Sequence, residues 1–148
     1  MVKVNGDILL ADFNLSYWRK DVSDMGNMVY YTINYRPPEM LIATKTFTTK
    51  SDMWSVGAVF LYLLNNGWDF FKGKNEQDVI TSICKHLNAG TTVPCNPAID
   101  LTGEQRDNSS IFTSIQDPMA RDLIIHLCQL KPTNRYSATE ALQHPYFL

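Results

Sequence analysis

The stretch KSDMWSVGAVFLYLL, residues 50–64, decides the fold of this chain. After Asp52, apolar residues lie on every face of a helix drawn through it, and a helix that is apolar all round belongs in a protein interior. Asp52 and Asn65 bracket a run shorter than the ~20 apolar residues of a membrane span. We therefore predict the central buried helix of a soluble domain, with Ser51 or Thr49 as N-cap and Asp52 on the positive helix end.

The whole chain has an ordinary globular composition. Its 148 residues are 45% hydrophobic and 19% charged, which predicts one folded domain with its own core. The net charge of -2 gives no electrostatic reason to expect nucleic acid or a membrane as a partner. Cys84, Cys95 and Cys128 are widely spaced and odd in number, so we expect neither disulfides nor a zinc site. With no signal peptide in the N-terminal residues, the expected location is the cytoplasm, with the nucleus open.

The N-terminal residues predict a small hairpin followed by a loop. Residues 1–11 form two short apolar runs on either side of Asn5-Gly6, a pair that supplies the positive φ angles of tight hairpins. Residues 16–27 are polar and show no period of either kind, which is typical of a loop.

Helical patterns dominate the remainder. They predict a helical turn at 39–42 after Pro37-Pro38, an amphipathic helix at 76–87, a helix from Asp117-Pro118 to Leu130, and a last helix from the Ser137 capping box to about Gln143. The apolar face of the Asp117 helix is expected to contain Met119, Leu123, Ile124, Leu127 and Cys128. Residues 88–116 show no convincing period, and such length without structure indicates an insert.

Four segments in this order, NGDILLADFNLS, TINYRPPE, KSDMWSVGAVFLYLL and RYSATEALQHPYF, resemble the second half of a eukaryotic-type protein kinase domain. The run from Tyr35 to Glu39, preceded by Thr32, is similar to the group of cyclin-dependent and mitogen-activated kinases. The resemblance covers essentially the whole chain. It implies a partial kinase-like fold, α+β and mostly α. The implied parts are the hairpin at 1–11, an activation segment at 12–39 and the helical C-terminal lobe at 40–148.

The resemblance assigns a metal-binding role near the hairpin. Asp12 matches the aspartate that holds Mg²⁺ against the phosphates of ATP, and a hard cation needs a carboxylate there. Phe13 matches the adjoining packing residue. Asn14 replaces the glycine of the family, and asparagine tolerates a left-handed backbone better than other non-glycine residues. Mg-ATP is thus the implied cofactor of a complete parent domain, and we expect this chain alone to bind none tightly.

The resemblance also implies a place for a protein substrate. Thr32 is similar to the residue that contacts the catalytic aspartate and favours Ser or Thr substrates. Residues 32–38, including Tyr35 and Arg36, resemble the substrate-docking loop; the alternative is an ordinary turn with no partner. The group's phosphorylation position falls near Asn27, which cannot accept phosphate, so the candidate acceptors are Ser23, Tyr30 and Tyr31.

Four further residues receive structural roles from the resemblance. Glu39 and Arg135 are similar to a buried ion pair that ties the docking loop to the base of the domain. Asp52 resembles a residue that accepts hydrogen bonds from the catalytic loop; without that loop it caps its own helix or remains unpaired. Earlier helices of the family cover the surface from Trp54 onward, so part of that surface should be bare here. We therefore expect aggregation, self-association or a partner.

Several parts needed for phosphoryl transfer are missing from these 148 residues. The sequence contains no phosphate-covering Gly-x-Gly-x-x-Gly loop and no His-Arg-Asp catalytic loop. We therefore expect the C-terminal part of a Ser/Thr protein kinase whose front half is encoded elsewhere, inactive as an isolated chain. The expected partner is a protein substrate or the missing N-terminal kinase portion. The alternatives are a pseudokinase-like binding module and a decayed fragment without function.

Overall fold

The structure is a computed structural model that describes residues 1–16, 32–42, 47–87 and 110–148. The chain divides into two compact units, Met1–Tyr30 and Tyr31–Leu148. The predicted loop at 16–27 lies almost wholly outside the described residues. The candidate phosphorylation sites Ser23, Tyr30 and Tyr31, the adjacent Asn27, and Cys95 lie outside them too.

The first unit contains a minimal hairpin. Val2 and Ile8 form an isolated antiparallel bridge in place of the two predicted strands. The amide of Gly6 donates to the carbonyl of Lys3 at 2.9 Å, and Gly6 alone in this turn has a positive φ, of 90°. A three-residue loop that ends in a left-handed glycine is a common hairpin connection and needs only one positive φ angle. The prediction that Asn5 would share this conformation is therefore wrong.

The second unit begins with a short helix and then the long one. Helix α1 spans Pro38–Leu41, and its start at proline confirms the predicted helical turn. Helix α2 spans Thr49–Leu64. The prediction of Ser51 or Thr49 as N-cap is wrong. The N-cap is Thr48, because Thr48 and Ser51 each accept the other's backbone amide in a capping box with Ser51 at N3.

Helix α2 is buried on one side only. Met53, Trp54, Ala58 and Leu61 face the core. On the opposite side, the exposed apolar stripe of α2 consists of Val56, Val59, Leu63 and Leu64, with Leu63 66% exposed. The prediction of a helix buried all round is therefore wrong for the described structure, whereas the expectation of a partly bare surface agrees with it.

Two of the predicted helices agree closely with the structure. Helix α3 spans Glu76–Leu87, as predicted, and buries Val79, Ile80, Ile83 and Leu87. Helix α6 spans Ala138–Leu142 behind the Ser137 capping box. Both follow from local rules, one from apolar spacing and the other from capping chemistry.

The region before α6 differs from its prediction in three places. Helix α4, Ser110–Thr113, lies within the stretch expected to lack structure. Helix α5 spans Pro118–Leu127 and stops three residues before the predicted Leu130. Met119 is 49% exposed, which differs from the predicted apolar face, and Ala120 is buried instead, because it lies three and four residues before Leu123 and Ile124 on the face that meets the core.

The core of the second unit lies between α2, α3, α4 and α5. Helix α2 packs tightly on the end of α5 at Gly57, where an added Cβ would lie 3.0 Å from Cβ of Leu127 and 2.6 Å from Sγ of Cys128, the C-cap of α5. No described helix combines the length and the apolar character needed to cross a membrane.

Candidate functional site

The predicted metal-binding residues lie on the single turn that follows the hairpin. Asp12 has φ 67° and ψ 64°, and a 3-10 helix, Phe13–Leu15, starts directly after it. The side-chain amide of Asn14 donates to Oδ1 of Asp12 at 2.9 Å. The left-handed residue is thus Asp12 rather than Asn14, because a short polar side chain that bonds locally tolerates this conformation. Phe13 is 64% exposed.

Asp12 is the one described residue of this turn with a carboxylate suited to Mg²⁺. Its exposed side chain carries hard oxygen ligands, of which Oδ1 also accepts the bond from Asn14. Among the residues that the structure describes, no group of three or more His, Cys, Asp or Glu could hold a metal ion. The turn therefore offers a single carboxylate to a divalent cation, which is fewer ligands than such a cation needs.

The predicted substrate-docking residues, 32–38, form a second element, which we name the docking segment. It consists of the exposed Thr32, a 3-10 turn at Ile33–Tyr35, and buried residues that lead into α1. The carbonyl of Thr32 accepts the amide of Tyr35 at 3.0 Å, which closes the turn. A second backbone bond, from the amide of Arg36 to the carbonyl of Ile33 at 3.2 Å, completes the 3-10 turn.

Asp69, in the loop between α2 and α3, holds the turn by two side-chain bonds. Asn34 donates its amide to Oδ2 of Asp69 at 2.9 Å, and the hydroxyl of Tyr35 donates to Oδ1 at 2.9 Å. Burial, followed by the hydrogen bond and the charge of Asp69 and the nearby Tyr62, raises the pKa of Tyr35 to about 12. The phenol therefore stays protonated and remains a donor at every physiological pH.

Two further contacts fix the middle of the docking segment. Nη1 of Arg36 lies 2.5 Å from Oε1 of Glu76 at the start of α3, and the arginine side chain is only 5% exposed. The hydroxyl of Ser55 on α2 donates to the carbonyl of Tyr35 at 2.9 Å. Tyr35 and Arg36, both predicted as docking residues, are thus held by α2 and α3 rather than free in solvent.

The structure brings Glu39 and Arg135 together in a buried ion pair. Nη1 and Nη2 of Arg135 donate to Oε1 and Oε2 of Glu39 at 2.8 and 2.6 Å, and the side chains of Arg135 and Glu39 are 0% and 4% exposed. Ser51 adds a hydroxyl bond to Oε1 of Glu39 at 2.8 Å. The other three guanidinium hydrogens of Arg135 bond backbone carbonyls, those of Gln129, Lys50 and Leu130. Complete pairing of this kind is what a buried charge requires.

Trp54 and Asp52 meet different surroundings at the start of α2. Trp54 is fully buried, stacks on Phe71 with ring centroids 5.2 Å apart, and faces the guanidinium of Arg135 at 5.0 Å.

Asp52 is an exposed residue whose carboxylate accepts no hydrogen bond within the described part of the chain. Neighbouring atoms nevertheless exclude part of its solvent, and this desolvation raises the pKa of Asp52. Of the two predicted outcomes for Asp52, a cap or an unpaired carboxylate, the second is observed.

Sequence reasoning missed three residues that hold the docking segment, namely Asp69, Glu76 and Ser55. Asp69 and Glu76 lie outside the four quoted segments, and Ser55 lies within residues 50–64 without a role having been predicted for it. Their function depends on the segment that folds against them. A groove of about 470 Å³ lies at the end of α2, lined by Leu61, Leu64, Phe70 and Ile115 among others. None of the predicted site residues lines this groove.

Comparison with known families decides what this arrangement is. The family model of the protein kinase domain matches residues 1–147. The chain belongs to the protein kinase domain family. The predicted partial kinase-like fold is thereby confirmed.

Curated relatives in this kinase family are similar over nearly the whole chain. Cyclin-dependent kinase 7 of Dictyostelium discoideum is 33% identical over 154 aligned positions, which cover 99% of the chain and 42% of the relative. Serine/threonine-protein kinase ppk23 of Schizosaccharomyces pombe is 32% identical, over 96% of the chain and 38% of the relative. The chain therefore spans about two fifths of the length of these kinases. The first of these relatives is named a cyclin-dependent kinase, in agreement with the predicted resemblance to that group.

A solved kinase structure agrees with the sequence comparison. The crystal structure of the yeast RNA Pol II CTD kinase CTDK-1 complex contains a chain that superposes with a TM-score of 0.63 at 32% sequence identity. The match covers 78% of this chain and 42% of that one. The described helices therefore have the arrangement of part of a kinase domain.

Proposed function

We propose that this chain is the C-terminal-lobe part of a Ser/Thr protein kinase domain of the cyclin-dependent type, and that its docking segment binds the protein substrate. The observation that carries the proposal is the fixed position of residues 32–38. Glu39 and Arg135 fix one end through a buried, doubly bonded ion pair, and Asp69 holds the turn before it. A surface loop without a partner needs no such restraint, whereas a loop that orients a substrate gains from it.

Asp12 would supply one oxygen ligand to Mg²⁺ in the complete domain. The kinase family uses Mg-ATP, and the metal supplies positive charge to the phosphates. The exposed carboxylate of Asp12 suits that task, and Asn14 restricts its orientation. Thr32 would lie next to the catalytic aspartate of the parent domain, a residue for which this sequence has no counterpart.

The 148 residues alone would lack phosphoryl-transfer activity. Catalysis in this family comes from positioning the phosphates and stabilising their charge, through a glycine-rich loop, a lysine and a catalytic-loop aspartate. None of these motifs is in the sequence, and one metal ligand cannot replace them. The parent domain would transfer phosphate to protein Ser or Thr in the cytoplasm or nucleus.

A second candidate function is a binding module that docks kinase substrates without phosphorylating them. The docking segment supports it, because its contacts to Asp69, Glu76 and Arg135 are all complete within these residues. The two candidates differ in activity but share the docking surface.

A phosphorylation assay with Mg-ATP and a general protein substrate separates them. The 148-residue chain is compared with the full product of the native transcript, mapped at its 5′ end. We expect activity only in a longer product. Asp12→Asn should abolish that activity, whereas Asp7→Asn, a matched exposed carboxylate in the same hairpin, should leave it intact.

Other outcomes of the same assay have defined meanings. Activity of the 148-residue chain would show that the missing motifs are dispensable, contrary to the proposal. A longer product that binds substrate but transfers no phosphate would favour the binding module.

A further inference from the structure

The Asp69 carboxylate accepts hydrogen bonds from two consecutive residues of the docking segment. Its Oδ2 accepts the side-chain amide of Asn34 and its Oδ1 accepts the hydroxyl of Tyr35, both at 2.9 Å. Asp69 lies 35 and 34 positions away from these residues, in the loop between α2 and α3. One side chain thus bonds two consecutive residues of the turn.

Neither bond has an evident substitute. Oδ1 of Asn34 is buried and has no hydrogen-bond partner among the described residues, so the amide is oriented by its Nδ2 bond to Asp69. The hydroxyl of Tyr35 donates to Asp69, and the backbone carbonyl of Tyr35 accepts from Ser55. These two bonds fix both the side chain and the backbone of Tyr35. Loss of the Asp69 carboxylate would leave two partly buried donors unpaired, and unpaired donors favour a different conformation of the turn.

The carboxylate is the acceptor that this arrangement requires. Two donors approach different oxygens, and an amide or hydroxyl side chain offers only one acceptor atom. Charge strengthens both bonds relative to neutral ones. A residue that merely filled space at position 69 would need neither property.

We infer that Asp69 is a positioning residue for the protein substrate: it fixes Asn34 and Tyr35 and thereby holds the docking segment in the conformation that binds the substrate. This inference rests on the proposed function of the docking segment. It predicts an effect on the affinity for the protein substrate and none on the affinity for ATP, because the Asp69 carboxylate acts on the substrate-docking turn.

A reciprocal exchange of the two side chains tests the inference in the full kinase. Asn34→Asp alone places two carboxylates against each other, and Asp69→Asn alone leaves one acceptor for two donors. In the combined N34D/D69N variant, the new amide at 69 can donate to the carboxylate at 34 and accept from Tyr35. We expect KM for a peptide substrate to rise about tenfold in each single variant and to recover in the double variant.

Comparison of the peptide KM with kcat and with KM for ATP distinguishes a positioning role from a general structural effect. KM for ATP should stay unchanged in all three variants, and kcat should change less than the peptide KM. Asp78→Asn is the matched control, because it removes an equal charge from the first turn of α3. It should leave the peptide KM unaltered.

The ionisation of Tyr35 gives a readout that does not depend on activity. Asp69→Asn removes two of the causes that raise the pKa of Tyr35 to about 12, so ultraviolet titration should show this pKa moving toward 10.0. The spectrum of Tyr35→Phe identifies the contribution of this residue. In the N34D/D69N variant the hydrogen bond from Tyr35 to residue 69 is restored, so part of the increase in the pKa of Tyr35 should return.

The outcomes separate the inference from the proposed function. An active kinase whose peptide KM is the same in wild type, D69N and N34D overturns the positioning role and leaves the proposed function intact. A double variant as impaired as the single ones also overturns it. A full product that phosphorylates no protein removes the proposed kinase activity, and the binding affinity of the peptide for wild type, D69N and N34D then tests the positioning role.

Discussion

Arg135 donates from both terminal nitrogens to the Glu39 carboxylate across 96 positions of sequence, at distances of 2.8 and 2.6 Å. Both side chains are almost completely buried. The pair joins the end of the docking segment to the loop before α6, two parts of the chain that no other described ion pair connects. The pair therefore holds the C-terminal end of the docking segment, and the bonds from Asp69, Glu76 and Ser55 hold its middle.

Removing one member of this pair should strongly destabilise the protein. Arg135→Ala leaves the Glu39 carboxylate buried without its counter-ion, and we expect the free energy of unfolding to fall by about 3 to 5 kcal/mol. Urea denaturation followed by circular dichroism measures this value. Glu39→Gln should cost less, because glutamine can still accept from Arg135 and from Ser51. An unchanged midpoint for Arg135→Ala would mean that the pair is a solvated surface contact.

Gly57→Ala should destabilise the packing of α2 against α5. In an exposed helix this change gains about 1 kcal/mol. Here the new methyl group would lie 2.6 Å from Sγ of Cys128 and 3.0 Å from Cβ of Leu127, so a net loss of about 1 to 3 kcal/mol is expected. In a double-mutant cycle, Cys128→Ala should relieve part of the loss. Purely additive effects would contradict a direct clash between residues 57 and 128.

The exposed apolar stripe of α2 should promote self-association. Leu63 and Val59 are 66% and 44% exposed, and contiguous exposed apolar surface favours association. We expect Val59→Lys/Leu63→Lys to lower the binding of a hydrophobic dye and to shift sedimentation toward monomer, with little change in the unfolding midpoint. Leu142→Lys, at a residue 69% exposed on α6, is the control and should change neither. A wild-type chain that is monomeric and silent to the dye contradicts this prediction.

Glu140 should make stability depend on acidity below pH 5. Its bonds to the backbone amide and hydroxyl of Ser137, and then to Lys50, lower the pKa of Glu140 from 4.5 to about 2. Because the folded pKa is the lower one, the stabilisation is present above pH 4.5 and is lost as the pH falls toward 2. The Tm of Glu140→Gln should therefore lie below that of wild type at about pH 6, and this difference in Tm should be smaller at about pH 3. A constant gap in Tm across this range would contradict the assignment.

Local chemistry made several elements of this fold predictable. The apolar spacing in 76–87 predicted α3 to the residue, and the Ser137 capping box predicted the start of α6. Pro38 and Asp117 likewise mark where α1 and the α5 cap lie. These features depend on residues within about one helical turn of each other, so a short stretch of sequence contains every residue that takes part in them.

The candidate site was predictable only where a family resemblance linked distant residues. Glu39 and Arg135 were paired in this way, although neither sequence spacing nor composition connects them. Asp69 and Glu76 were not found, because an acidic residue in a loop or a first helical turn has no pattern that indicates its partner. The sequence pointed to Asn14 as the residue of this turn that tolerates a left-handed backbone, whereas the structure has that conformation at Asp12.

The sequence by itself determined the family, the order of the helices and most of their caps, since these depend on side chains close together along the chain. Tertiary structure decided which side of α2 is buried, because α2 is apolar on every face and only its packing against α5 and Phe71 selects Trp54 over Val59. It also decided how the docking segment is held. The bonds from Asp69, Glu76 and Arg135 form only when residues 34 to 96 positions apart come into contact. A pattern among neighbouring residues cannot predict contacts between residues so far apart in sequence.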